Sequence, residues 1–299
     1  MKLDVIGFGA LNVDKLCHVN RIARGGEESF VLSVSEAPGG SAANTIVGLA
    51  GLGIKTGFIG KVADDHGGQL LLNDFRHEGV NTDGIAMVCE GHTGNVTAYV
   101  DKTGERALYV HPSVNDTLSF EDVSLEYARQ AGFLHLASMD DKPFRAQKKL
   151  TEMLPDVRIS LDPGQIYARK GLAKLAPILR KCFAFMPSEN ELRILTGQHF
   201  RDGAETILEQ GPHIVVVKLG SKGCYITNGK EKHLIGPFDA KAVDKTGAGD
   251  AFCAGFLYGL VKAKDLYECG RLGNFVASKC IAKVGARAGL PRASELRNI

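Results

Sequence analysis

The run Asp244-Lys245-Thr246-Gly247-Ala248-Gly249-Asp250 has the residue types for acid–base work on an anion. It leads into residues 251–261, which are apolar on every side until Lys262, so a buried helix is expected there. Small residues at that N-terminus leave backbone N–H groups free to point at a negative group. The aligned peptide dipoles add about 0.3–1 kcal/mol in favour of negative charge. Asp250 stands at the same terminus. A carboxylate beside an anion hole suits a general base that deprotonates a hydroxyl attacking phosphate. An Asp at a Gly-rich helix start is, taken alone, more often an N-cap. A second constellation tips the balance: Pro38-Gly39-Gly40-Ser41-Ala42-Ala43-Asn44 opens a helix near 40–52. Paired glycines let a ligand approach the backbone, and Asn44 can both donate and accept, which suits a polyhydroxylated substrate.

The elements that must hold these runs alternate. Buried parallel strands are expected at 5–9, 56–59, 133–136, 158–161, 183–186 and 214–219, as mostly apolar stretches. Helices are expected near 66–78, 121–130, 143–153, 169–181, 203–210 and 266–283. This order implies a doubly wound sheet. Residues 12–36 and 85–111 break it with half-polar alternation. They are expected to form a small β-sheet lid over the edge of the main sheet. The stretch Asp101-Lys102-Thr103-Gly104-Glu105 is a hairpin turn in that lid, and Asn228-Gly229 turns a further hairpin over 223–235. With no repeat and no linker, residues 1–299 read as a single domain.

Composition excludes several classes. The 299 residues carry 36 Lys+Arg and 34 Asp+Glu, a net charge of +2. That speaks against a nucleic-acid binder. No apolar run approaches the roughly 18 residues of a membrane span, and no signal peptide precedes the first strand. The seven cysteines are odd in number and widely spaced, without a Cys-x-x-Cys pair. They fit a reduced, cytoplasmic protein. The nine histidines form no His-x-x-x-His pair, so no transition-metal site is expected. Gly7-Phe8-Gly9-Ala10-Leu11-Asn12 starts like a dinucleotide fingerprint but has Asn12 in place of the third glycine. A Walker P-loop and a nucleophile elbow are both missing.

Gly39-Gly40-x-x-x-Asn44 near the N-terminus, together with Asp244-x-Thr246-Gly247-Ala248-Gly249-Asp250 near the C-terminus, resembles the ribokinase/PfkB family of sugar and nucleoside kinases. The likeness runs from Asn12-x-Asp14 to Gly285-Ala286. It implies an α/β, three-layer ribokinase-like fold, with a mainly parallel central sheet, helices on both faces and a small β-sheet lid. It implies Asp250 as catalytic base, with the backbone of Gly247, Ala248 and Gly249 as the anion hole. Asn12, Asp14, Gly39, Gly40 and Asn44 would bind substrate hydroxyls, and Asn115, in Pro112-Ser113-Val114-Asn115, would lie near them. Lys218, Gly220 and Gly223 would face nucleotide phosphates, and Asn274 the adenine pocket. Glu191 would hold Mg²⁺ through water, as hard cations keep much of their hydration. Asp244 would sit at a monovalent-cation site, such as one for K⁺.

The chain departs from the family pattern in places. Ser188 stands where an Asn is usual in the Asn-x-x-Glu turn, with Asn190 nearby to compensate. Lys245 replaces a small residue. Ala137-Ser138-Met139 stands where ribokinases carry a substrate-binding Glu, which puts ribose itself in question. The implied activity is phosphoryl transfer from ATP·Mg²⁺ to a primary hydroxyl of a sugar-bearing substrate. A nucleoside kinase is the rival reading within the fold, and a catalytically silent sugar-binding regulator the non-enzyme one. A hydride-transfer enzyme ranks last. Phe30, Val31, Leu32 and Val34 are apolar lid residues that could pair with a second lid, so a homodimer is expected.

Overall fold

The computed structural model describes residues 2–296. In chain order, the first elements are β1 (Leu3–Phe8), β2 (Asn12–Val19), β3 (Val31–Gly39), α1 (Ser41–Gly51), β4 (Thr56–Ala63), α2 (His66–His77) and β5 (Asn81–Val88). They are followed by β6 (Gly94–Asp101), β7 (Arg106–His111), α3 (Leu125–Ala128), β8 (Ala131–Ala137), α4 (Asp141–Met153), β9 (Arg158–Asp162), α5 (Gly164–Lys170) and α6 (Leu172–Leu179). The last are β10 (Cys182–Phe185), α7 (Glu189–Thr196), α8 (Phe200–Leu208), β11 (Ile214–Lys218), β12 (Cys224–Thr227), β13 (Lys232–Ile235), α9 (Ala248–Val261) and α10 (Leu266–Cys280).

The main sheet has nine strands in the order β13-β12-β11-β10-β9-β8-β1-β4-β5. From β11 to β5 every pairing is parallel, and the β12–β13 hairpin closes one edge antiparallel. Side chains alternate between two cores, as a pleated sheet requires. Ile6, Phe8, Leu134 and Leu136 pack with Leu150, Tyr167, Leu175 and Leu192 on one face. Val5, Phe58 and Phe133 pack with Ile46, Phe75, Phe252 and Phe256 on the other. Both faces are covered, which explains the nearly unbroken apolar runs of the central strands. No helix among the described residues is long and apolar enough to cross a membrane.

A second, four-stranded sheet has the order β3-β2-β6-β7. It forms the lid, and one expected boundary is corrected. Residues 85–88 of the expected segment 85–111 belong to β5, which pairs in parallel with β4 in the main sheet. The lid's second segment is therefore β6 and β7. An edge strand of a large sheet and a lid strand are both half-buried, and their alternation reads the same. Two expected helices are also shorter than their pattern. Ser124 caps α3, which holds only four residues. The stretch at 169–181 is split at Gly171, whose φ of 81° interrupts the helical path between α5 and α6.

Candidate active site

Two helix N-termini converge. Helix α9 begins after Gly247, which adopts φ 75°. A Cβ there would lie 2.5 Å from the Cβ of Ala286, so glycine is required by both conformation and space. Helix α1 begins after Gly40 at φ 106°, where a Cβ would come within 2.2 Å of the Ala10 carbonyl oxygen. Across the gap, Ser41 Oγ donates to Asp250 Oδ1 at 2.7 Å and Asn44 Nδ2 donates to Oδ2 at 2.8 Å. Thr45 Oγ1 donates to the Asp250 carbonyl at 3.2 Å. The Asp250 carboxylate is thus fixed between the two termini. Burial pushes its pKa up to about 6, against the lowering effect of the Asn44 and Ser41 hydrogen bonds. It is anionic at neutral pH, yet close enough to neutrality to accept a proton.

Of the three amides expected to face an anion, that of Ala248 is engaged within the turn. The Ala248 amide donates to the Lys245 carbonyl at 3.2 Å. Among the described residues, the amides of Gly247, Gly249 and Asp250 have no backbone acceptor. The donors left for an anion are therefore these three, and Ala248 closes the turn that aims them.

Asp14 and Asn12 lie on β2 as it leaves the main sheet. A Cβ at Gly39 would fall 2.2 Å from Asp14 Oδ2, so the carboxylate rests directly on that glycine. Burial raises its pKa to about 6, and the charge of Arg287 partly opposes this. Asn115 lies beside Asn12, near the residues where it was expected. Its Oδ1 accepts from Leu11 N at 2.9 Å, and its Nδ2 donates to the Leu11 carbonyl at 3.0 Å and to Asn12 Oδ1 at 2.9 Å. Both amide hydrogens are engaged, so Asn115 orients the Asn12 amide, whose Nδ2 makes no hydrogen bond among the described residues.

Arg287 had no local signal in the sequence. It lies beyond α10, yet its Nε donates to Asn44 Oδ1 at 2.8 Å and its Nη1 to Asp74. Its Nη2 is buried without a partner among the described residues. Arg287 thereby fixes which end of the Asn44 amide faces Asp250.

On the far side of α9 lies a cavity of about 570 Å³ lined by Lys218, Gly220, Gly223, Lys245, Phe252 and Asn274, among others. Asn274 Nδ2 donates to the Ile235 and Gly236 carbonyls at 3.2 and 2.9 Å. It braces the wall of the cavity, and its Oδ1 accepts no hydrogen bond among the described residues. Gly223, at φ 88°, packs against the Ile235 carbonyl and closes the turn that carries Gly220. A second cavity of about 330 Å³ lies between that pocket and Asp250, lined by Ser41, Asp162, Ser188, Glu191, Lys218 and Gly249.

Ser188 and Glu191 form a reciprocal cap at the start of α7. Ser188 Oγ accepts from Glu191 N at 3.3 Å, and Glu191 Oε2 accepts from Ser188 N at 2.7 Å. The Ser188 oxygen is therefore a helix cap before it is a phosphate contact, and Asn190 is turned to Arg193 rather than to the site. Glu191 keeps Oε1 available. Among the described residues no cluster of three or more His, Cys, Asp or Glu could hold a metal. One carboxylate oxygen lining this cavity would suit a hydrated Mg²⁺, which keeps most of its water ligands. Asp244 is a loop clasp: Oδ1 accepts from Thr246 N and Oγ1 at 3.0 and 2.7 Å, and Oδ2 from Gly285 N at 2.9 Å. Burial works against its charge, but these donors hold its pKa below the usual carboxylate range.

A model of the pfkB family of carbohydrate kinases matches residues 3–293. An uncharacterized sugar kinase of Archaeoglobus fulgidus is 46% identical over 82% of this chain and 99% of its own length. An ATP-dependent ribose-1-phosphate kinase of Halopiger xanaduensis is 30% identical over 95% of this chain and 94% of its own. The solved structure of a ribokinase from Thermotoga maritima superposes with a TM-score of 0.90 at 26% identity, covering 99% of this chain and 98% of that one. Its fold is the three-layer arrangement described above. The chain belongs to the pfkB family of carbohydrate kinases, and is an ATP-dependent phosphotransferase acting on a sugar or sugar-bearing substrate.

Proposed function

We propose that the reaction is in-line transfer of the ATP γ-phosphoryl group to a primary hydroxyl, with Asp250 as the general base. The observation that carries this is the Asp250 carboxylate, anchored by Ser41 and Asn44 at the N-terminus of α9 beside unengaged amides. The acceptor lies over Gly39 and Gly40, with its hydroxyls on Asp14, Asn44 and the Asn12 amino group. Asp250 takes the hydroxyl proton as the oxygen attacks. The amides of Gly247, Gly249 and Asp250 receive the charge that spreads over the phosphoryl oxygens. ATP occupies the 570 Å³ cavity, its phosphates running past Gly220 and Lys218 toward Asp250. Glu191 would hold Mg²⁺ through water, and the ion would supply charge neutralisation at the phosphates. A monovalent cation such as K⁺ would sit beside Asp244, a reading supported by the way Asp244 draws the 244–246 and 285 backbones together.

The lid supports a second acceptor class. Asp14 and Leu16 share one face of β2, and register places Val96, Ala98, Leu108 and Val110 on the same face of the neighbouring strands. That face carries Asn12 and Asp14 at its base, Ser33, Ser35 and His18 further along and Arg106 at its tip, so it offers apolar and hydrogen-bonding contacts together, which suits the base of a nucleoside. The similarity to a ribose-1-phosphate kinase adds a phosphorylated sugar to the candidates. ADP release measured with ribose, ribose 1-phosphate, fructose, 2-keto-3-deoxygluconate, adenosine, cytidine, guanosine and inosine separates the classes. Turnover with none of them would favour a silent binding protein.

The edge strand β3 exposes Val31, Leu32 and Val34, with Phe30 beside them. An uncovered apolar strand edge invites pairing, and the reading includes a homodimer through the lid, checked by light scattering. The location proposed is the cytoplasm, in keeping with seven free cysteines.

A further inference from the structure

The cavity beside Asp250 is lined by three carboxylates, Asp162, Glu191 and Asp250, and one cation, Lys218. A phosphoryl group passing through that space carries negative charge on its peripheral oxygens, and three carboxylates oppose it. Lys218, Gly220 and Gly249 also line the nucleotide cavity, so the ammonium stands where the two spaces meet. A Cβ added at Gly249 would lie 3.4 Å from Lys218 Nζ, which places the ammonium against the first turn of α9.

Asp162, at the end of β9, holds it there. Lys218 Nζ donates to Asp162 Oδ2 at 2.5 Å, and the two side chains are only 12% and 8% exposed. Cys253 Sγ completes the pocket at 3.5 Å from Asp162 Oδ2. Burial alone would drive a lysine toward its neutral form. The Asp162 carboxylate more than reverses that and holds the ammonium above its ordinary range. The neighbouring strand edge adds little: Ser188, bridged to Lys218 in parallel, has its oxygen engaged in the α7 cap.

The geometry points to Lys218 as the cation that neutralises the γ-phosphoryl group during transfer, and to Asp162 as the residue that positions it. This rests on the phosphoryl-transfer reading above. Neither residue forms a covalent bond. The acceptor oxygen bonds to phosphorus, the bond to the β–γ bridging oxygen breaks, and ADP leaves with that electron pair. Asp250 receives the hydroxyl proton, and Lys218 keeps its protons throughout.

Titration calorimetry with MgATP and MgADP, without acceptor, tests the assignment. Lys218→Met is expected to lose about tenfold or more in ATP affinity and less than about threefold in ADP affinity, since only the γ-phosphate loses a charge-assisted contact. In Asp162→Asn the ammonium loses its charged partner, so ATP affinity is expected to fall as pH rises between about 8 and 10, where lysine titrates under partial burial. Wild type and Asp162→Glu should be flat over that range. A purely structural Asp162 would shift the melting temperature and leave the profile flat. Breaking a buried pair destabilises the fold, so Asp162→Asn/Lys218→Met, which removes both charges, serves as the second variant with the same loss of ATP preference. Retention of the wild-type ATP-over-ADP preference in either Lys218 variant overturns the assignment, as does a flat Asp162→Asn profile. If Asp250→Asn is inactive while those variants keep the preference, this assignment alone fails. A wild-type protein that binds neither nucleotide overturns it together with the kinase reading.

Discussion

Asp250→Asn should separate catalysis from stability. The native Asp250 carboxyl titrates at about 6 against 3.8 for an unperturbed Asp, because burial outweighs the hydrogen bonds from Asn44 and Ser41. Between these values the unfolded chain has released its proton and the native one has not. The native state then binds more protons, so stability falls as pH rises through this window and stays lower above it. At about 1.4 kcal/mol per unit, and discounted for partial solvent access, the ionised carboxylate costs about 1–3 kcal/mol at neutral pH. Asparagine has no such penalty. It also fits the site, accepting from Asn44 Nδ2 through Oδ1 and donating to Ser41 Oγ through Nδ2. The variant is expected to be more stable by about 1–3 kcal/mol at pH 8, with no gain at pH 3.5. Its turnover is expected to fall by about 10²–10⁴, as for loss of a general base. Urea denaturation at the two pH values and a coupled ADP-release assay measure both. Near-wild-type turnover, or a stability change that ignores pH, would refute the reasoning.

Asp14 and Asp250 both titrate at about 6, so activity is expected to fall below pH 6 more steeply than one proton allows. Asp14→Asn should reduce that slope to a single proton and raise the acceptor KM with the ATP KM unchanged; an unchanged acceptor KM would remove Asp14 from the site. Arg287→Met strands Asp74 and frees the Asn44 amide, with an expected loss of about 3–5 kcal/mol by denaturation and a lower kcat at permissive temperature. Gly247→Ala places a Cβ 2.5 Å from that of Ala286 at φ 75°, and calorimetry should show ATP affinity weakened by about tenfold or more.

The place of Asp250 and of the small residues before α9 was legible because they are contiguous, and a wholly apolar helix behind a glycine-rich run starts where the run ends. The Gly39-Gly40 turn was legible for the same reason. Arg287 was not, because its partners Asn44 and Asp74 lie 243 and 213 positions away and only the fold brings them together. Asp162 was hidden as an ordinary residue at a strand end, and its meaning depends on Lys218 arriving 56 positions later. Ala248 and Asn115 show the converse limit. Their turns stand beside Asp250 and Asn12, but which groups their amides reach is set by turn geometry that residue types do not encode. The lid boundary at 85–88 was missed because half-burial produces one alternation in a lid and at a sheet edge.

The central claim concerns one carboxylate and the amides next to it. A crystal structure with MgADP, aluminium fluoride and the acceptor identified by ADP release tests it most directly. The expected result is an acceptor hydroxyl within about 3.2 Å of an Asp250 oxygen, with the fluoride ligands on the amides of Gly247, Gly249 and Asp250. An Asp250 turned away from the hydroxyl, or a fluoride group bound elsewhere, would contradict it.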